Sequence, residues 1–267
     1  MNLLITINKG YIKQLNILLK SIQISNPDEH FNVYILHREL DEDDIMKIKN
    51  QIDVERFYFT TIKVTESEIN KLPQYQKRYP SEIYFRIFAT KYLPQEVDRI
   101  LYLDADTIVI NKLNELYEMD FENNYYIAAT HIKKILHKFN EIRLDIKKEE
   151  PYVNSGVLLI NLQALRKIDI EKEVIQYIKE NANKLILPDQ DIITALYGNK
   201  VKLVDALKYN LGERDLNKHN INNPKKLIKL KWVCKNTVII HYYGKNKPWN
   251  KNYIGILDCF YKKVEKI

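Results

Sequence analysis

Glycine is scarce, with six in 267 residues, and none lies between Gly10 and Gly156. That gap excludes a Walker A loop, a Rossmann GxGxxG turn and the Gly-rich N-terminal loop of sugar-nucleotide pyrophosphorylases, which all need backbone that wraps closely around phosphates. Any phosphate bound here must be held by a metal ion and lysine side chains. The two cysteines, Cys234 and Cys259, are too few for a disulfide framework or a Cys-rich zinc site and fit a reducing compartment. No apolar run approaches the ~18 residues of a membrane-crossing helix. The opening MNLLITINKGYIK lacks the basic-then-apolar order of a secretory signal. GxSxG and HExxH are missing as well. The expectation is a cytoplasmic globular protein.

Charge is unevenly spread. Lys plus Arg exceed Asp plus Glu by 42 − 35 = +7. From Lys225 onward there are eleven lysines against Asp258 and Glu265, a balance of +9, so residues 1–224 carry −2. A basic C-terminal segment suits phosphates, an anionic membrane surface or nucleic acid, and equally a lysine-rich solvated face.

The patterning is that of an α/β protein. Leu3–Ile7, Phe31–Leu36 and Phe57–Ile62 read as strands, separated by a helix with apolar residues at Ile12, Leu15, Leu18, Leu19 and Ile22 and by a second helix starting in the acidic stretch 41–44. Alternating strand and helix predicts a parallel sheet. Ser81, after Pro80, is expected to cap a helix running to about Tyr92, ahead of Pro94. Further strands are expected at Arg99–Leu103, Val157–Ile160 and Val238–Ile240. No repeat and no Gly/Ser/Pro-rich linker divides the chain, so one domain over 1–267 is expected, with a smaller helical C-terminal part.

Four segments combine residue types that carry chemistry. Leu101-Tyr102-Leu103-Asp104-Ala105-Asp106 ends an apolar strand in two carboxylates; in extended chain, residues two apart share a side and can face one hard cation. His241-Tyr242-Tyr243-Gly244-Lys245-Asn246-Lys247-Pro248-Trp249 offers an imidazole at another strand end, and mixed carboxylate and imidazole ligation favours Mn²⁺ over Mg²⁺. Its Gly244 allows close backbone approach, and Lys247 supplies a point charge for phosphate. Asn154-Ser155-Gly156 opens an apolar strand with an amide suited to sugar hydroxyls, or simply forms a tight turn. In Pro188-Asp189-Gln190-Asp191 the acids either line a site or cap the helix that follows.

Together these segments resemble family 8 of the glycosyltransferases, bacterial enzymes of the galactosyl- and glucosyltransferase type that use a UDP-sugar. The matching blocks are the first strand with Tyr11, Tyr84-Phe85-Arg86, LYLDAD at 101–106, NSGVLLINL at 154–162, PDQD at 188–191 and HYYGKNKPW at 241–249. They occur in the family's order across nearly the whole chain.

The resemblance implies a GT-A fold, a mixed and mostly parallel sheet flanked by helices. Residues to about 205 would bind the donor, and residues 206–267 would return His241 and Lys247 to the site. It implies that Asp104, Asp106 and His241 hold Mn²⁺ (Mg²⁺ being the alternative), with Ala105 beside the donor. Gly244 and Lys247 would contact the diphosphate; Arg86, Asn154, Asp189 and Gln190 would surround the donor sugar; Tyr11 would sit near the uracil. Asn8 stands where the family often has an acid that holds uridine, and the stretch 130–132, with His131, lacks the carboxylate some relatives carry near the sugars.

The implied reaction is retaining hexosyl transfer to a saccharide or glycolipid acceptor. Gln190 is expected near the anomeric carbon, and Asp189 is the lesser candidate for a nucleophile. A non-catalytic donor-binding relative is the rival reading. Nucleic acid is not expected as a partner, since no recognition motif accompanies the lysines. Weak contact of the basic C-terminal segment with the inner membrane face is the remaining partner expectation.

Overall fold

Strands β1 (Asn2–Thr6), β2 (Phe31–His37) and β3 (Phe57–Lys63) lie parallel because helices cross between them. The computed structural model that places them describes residues 1–69, 81–131, 134–147 and 150–267. The first crossover, helix Ile12–Ser25, buries Leu15, Leu18, Leu19 and Ile22, the stripe its spacing predicts. Helix Glu42–Lys49 begins in a capping box. The Asp44 N–H bonds the Asp41 carboxylate and the Asp41 N–H bonds that of Asp44, which satisfies two donors the helix cannot.

The remaining strands are β4 (Arg99–Leu103), β5 (Thr107–Val109), β6 (Tyr126–Ala128), β7 (Val157–Asn161), β8 (Val201–Leu203) and β9 (Ile239–His241). The main sheet has the order β3-β2-β1-β4-β7-β6-β8. Within it β7 runs against β4 and β6, and the other neighbours are parallel. This is the mixed, mostly parallel sheet expected. An antiparallel ribbon of β5 and β9 stands apart from it.

Both faces of the sheet are covered, which is why its strands read as unbroken apolar runs. Leu4, Tyr34, Tyr102 and Leu158 face one core, and Leu3, Val33, Leu101 and Leu159 the other. A third cluster gathers Ile108 and Ile240 of the ribbon with Leu216, Val233 and Tyr261 from the helices Glu213–Asn222, Leu230–Asn236 and Asp258–Glu265. The C-terminal segment is therefore packed onto the DxD strand's continuation. Among the described residues no helix is long and apolar enough to cross a membrane.

The expected helix from Ser81 to Tyr92 is not regular. A 3-10 turn, Ser81–Tyr84, and a short helix, Ala89–Tyr92, flank a stretch closed by bonds such as Ile87 N–H to Tyr84 O at 2.9 Å. The cause is burial: Tyr84, Phe85, Arg86, Ile87 and Phe88 are all buried, whereas an α-helix on a surface buries one stripe. Pro80 and the side chain of Ser81 lie outside the described residues.

Candidate active site

The strand order turns back on itself between β1 and β4, and in open α/β sheets ligands bind in the crevice at such a point. A cavity of about 240 Å³ opens there, lined by Asn8 and Tyr11 after β1, by Arg86, and by Asp104, Ala105 and Asp106 after β4. Five residues expected at the donor, and the expected metal ligand Asp106, therefore line one space.

Asp104 and Asp106 do not converge by strand alternation. They sit in a turn between β4 and β5 closed by Thr107, whose N–H and hydroxyl both bond Asp104 O, at 3.0 and 2.8 Å. The ribbon register then sets Thr107 opposite His241, and the Tyr242 N–H bonds Asp106 O at 2.9 Å. His241 Nε2 lies 3.2 Å from Asp106 Oδ1 and 3.7 Å from Asp104 Oδ2. One ligand atom from each residue can be chosen within 4.8 Å of the others, the spacing of a metal-ligand set. Two carboxylates and an imidazole suit Mn²⁺ or Mg²⁺, the imidazole favouring Mn²⁺.

Lysine and arginine balance these acids. The Lys247 ammonium contacts Asp106 Oδ2 and bonds the Tyr242 carbonyl at 2.8 Å. Burial raises the Asp106 carboxyl, but His241 and Lys247 override it and hold the group well below the usual carboxylate range. Arg86 is itself buried and bridges Asp104 Oδ1 at 3.0 Å and Asp189 Oδ2 at 3.2 Å. It also donates to the Ser155 carbonyl at 2.9 Å and stacks over the Tyr102 ring at 4.3 Å. Burial disfavours its charge, and the two carboxylates with the Tyr102 ring keep it. The Tyr102 hydroxyl donates to the same Asp104 Oδ1 at 2.6 Å, which leaves Oδ2 on the His241 side.

The second acidic pair divides its labour. Asp189, in the first turn of helix Pro188–Tyr197, accepts the Ser155 hydroxyl at 2.6 Å and pairs with Arg86. Burial raises its carboxyl above the ordinary range against the pull of Arg86. Asp191 turns into the core with no exposed surface. It accepts two guanidinium bonds from Arg143 at 2.7 and 2.8 Å, the Tyr152 hydroxyl at 2.7 Å and the N–H groups of Ile186 and Leu187. Gln190 sits half-buried between them.

Other expected residues have partly committed side chains. Asn8 Oδ1 caps the turn Lys9–Tyr11 through the Gly10 N–H, and Tyr11 meets Trp249 edge-on at 6.4 Å. Asn154 Oδ1 accepts from the Gly156 N–H and from Asn210, so Nδ2 is what it can offer a ligand. Gly244 has φ +80°, a conformation that favours glycine. His131 lies against the Tyr243 ring at 4.8 Å and 3.5 Å from Asp215 Oδ2. Burial pushes its imidazole down to about 4 despite Asp215, so at neutral pH it carries no charge. Ile132 lies outside the described residues.

Sequence reasoning missed Tyr102, Ser155 and Asn210. Tyr102 lay two residues before Asp104 in a strand and was findable by period; Asn210 carries no local signal at all.

A mostly parallel sheet with its pocket at the strand-order reversal and an Asp-Ala-Asp turn on the pocket wall is the arrangement of the GT-A fold. Solved structures agree: the galactosyltransferase LgtC, determined in complex with donor and acceptor sugar analogs, superposes with a TM-score of 0.84 at 21% identity, covering 100% of this chain and 95% of that one. The chain belongs to glycosyl transferase family 8, whose model matches residues 2–253. Among its relatives are the lipopolysaccharide 1,2-glucosyltransferase of Escherichia coli, 28% identical over 91% of this chain and 71% of that protein, and the lipopolysaccharide 1,3-galactosyltransferase of Salmonella typhimurium, 26% identical over 93% and 73%.

Proposed function

We propose that this chain is a retaining hexosyltransferase that moves glucose or galactose from a UDP-sugar to a saccharide or lipid-linked glycan. The observation that carries this reading is the convergence of Asp104, Asp106 and His241 on the edge of a pocket whose buried Arg86 links Asp104 to Asp189. Asp104, Asp106 and His241 would hold Mn²⁺, or Mg²⁺ in its place. When bound, that ion supplies Lewis-acid stabilisation of the departing diphosphate. Residues 1–205 form the donor-binding core in this reading, and 206–267 bring His241 and Lys247 to it.

Lys247 has the charge and position to leave Asp106 for the diphosphate, clamping the negative charge that develops on it. Tyr11 and Asn8 line the pocket at what would be the uridine end, and Gly244, at φ +80°, would offer backbone to the phosphates. Asn154, Arg86 and the Asp189–Gln190 turn would surround the sugar. Asp189 is already engaged by Ser155 and Arg86, which disfavours it as a nucleophile. A front-face displacement follows: the acceptor oxygen bonds the anomeric carbon, the bond to the diphosphate breaks with its electron pair leaving on UDP, and the acceptor proton passes to the departing phosphate. Gln190 steadies the anomeric centre as a neutral amide. A covalent glycosyl-enzyme adduct seen by intact-mass measurement would overturn this route in favour of Asp189.

The same reading includes a peripheral place on an anionic membrane surface. Exposed Ile221, Leu227 and Leu230 stand among exposed Lys225, Lys226, Lys229 and Lys231. Co-sedimentation with phosphatidylglycerol vesicles, lost in high salt, is the expected result; no co-sedimentation at low salt contradicts it.

The function itself is tested by incubating the protein with UDP-glucose or UDP-galactose and Mn²⁺ and measuring UDP release. Release from one donor, reduced about a hundredfold or more by Asp106→Asn, is expected. Binding of UDP with no release from either donor would support the non-catalytic rival.

A further inference from the structure

An imidazole ligates a cation only through a nitrogen that carries no proton, and the partner of the other nitrogen decides which one that is. In His241 the other nitrogen, Nδ1, lies 2.9 Å from Asn210 Oδ1. An amide can present either end, so the polarity of this contact needs an anchor. The anchor is the backbone N–H of Gly156, which can only donate and meets Asn154 Oδ1 at 3.0 Å. That oxygen therefore accepts. The Asn210 atom 3.0 Å from the same oxygen must be a donor, Nδ2, and Asn210 thus turns its own oxygen to His241. His241 has to donate from Nδ1, and Nε2 is the nitrogen left to face Asp104 and Asp106.

Flipping Asn154 would set like groups against each other at two contacts, and flipping Asn210 would set its oxygen against that of Asn154. Asn210 has no exposed surface and His241 is 3% exposed, so water does not replace the lost bonds. The participants come from three separate places. Asn154 and Gly156 precede β7, while Asn210 is pinned beside β9 by Leu211 N–H to Ile239 O at 3.0 Å and His241 N–H to Leu211 O at 2.9 Å. Gly156 also makes room for the ring: a Cβ there would stand 2.2 Å from His241 Cε1 and 2.6 Å from Asp104 Oδ2.

The geometry points to Asn210 as a positioning residue, polarised through Asn154 by the Gly156 N–H, that holds a proton on His241 Nδ1 and so makes Nε2 the nitrogen a divalent cation can take. The inference rests on the reading of Asp104, Asp106 and His241 as the cation site. Mn²⁺ affinity measured by electron paramagnetic resonance should fall about 10- to 100-fold in Asn210→Leu, and fall less in Asn210→Asp, which keeps an acceptor opposite Nδ1. Wild-type affinity in Asn210→Leu overturns the relay. A wild-type protein that binds no Mn²⁺ overturns the cation site with it.

The second measurement separates the two and needs no metal and no variant that might misfold. Histidine-selective ¹⁵N NMR of the metal-free wild-type protein should find a proton on His241 Nδ1. A His241 Nδ1 that carries no proton overturns the relay whatever the metal does.

Discussion

Two Asp-x-Asp segments border this site, and the backbone puts them to opposite uses. Asp104 and Asp106 flank a turn and both reach His241. Asp189 and Asp191 occupy the first turn of a helix, where residues two apart point about 200° from each other. One of these therefore faces Arg86 at the pocket, and the other faces Arg143 in the core. The same three-letter pattern yields a candidate cation site in one place and, in the other, one candidate site residue and one structural anchor. Local geometry assigns the role.

The largest expected effect lies on the anchor. Arg143→Met leaves the Asp191 carboxylate buried without its ion pair and should cost about 3–5 kcal/mol of stability, read by denaturant unfolding. Mn²⁺ affinity should stay at the wild-type value; a parallel loss of metal binding would break the division between the two pairs. Next comes Gly156→Ala, whose methyl collides with His241 and Asp104. Overpacking of this kind costs about 1–3 kcal/mol, and here Mn²⁺ binding should fall with it.

The smallest effect adds a pH axis to the cation-site end. His131 has its pKa lowered to about 4 in the folded protein, so the unfolded chain takes up its proton first as pH falls. Stability tied to His131 is complete above its unfolded value and is lost as pH drops from there toward the folded one. Between about pH 7 and pH 5.5 this amounts to about 1 kcal/mol, and His131→Asn should flatten the unfolding profile by that much. An unchanged profile would mean the ring is not held uncharged.

Much of this was legible in the sequence. The first parallel strands and the long first helix follow from period and burial alone, and β4 runs over Arg99–Leu103 as expected. The three-residue strands β5, β6 and β8 were not legible, since their pairing partners are remote in sequence and supply most of the reason they are extended. Convergence of Asp104 and Asp106 was anticipated from strand alternation, whereas a turn brings them together; their meeting with His241 was implied by the family resemblance, and the ribbon register produces it. Asn210 was invisible because a lone asparagine acquires meaning only from the amide and imidazole that the fold sets against it. Asp191 was expected to line a site or cap the helix; no side chain caps that helix, and the buried carboxylate instead holds Arg143, Tyr152 and the N–H groups of Ile186 and Leu187.

The central claim is that Asp104, Asp106 and His241 form a cation site that binds the diphosphate of a uridine nucleotide. Thermal unfolding with UDP, with and without Mn²⁺, on the wild type and Asp106→Asn tests it most directly. Ligand at about a hundred times its dissociation constant adds about 2.7 kcal/mol, which for a chain of this size raises the midpoint by about 5 °C or more. The account predicts that rise only when UDP, Mn²⁺ and Asp106 are all present. A rise with UDP that is indifferent to Mn²⁺ and to Asp106→Asn, or no rise under any condition, would contradict it.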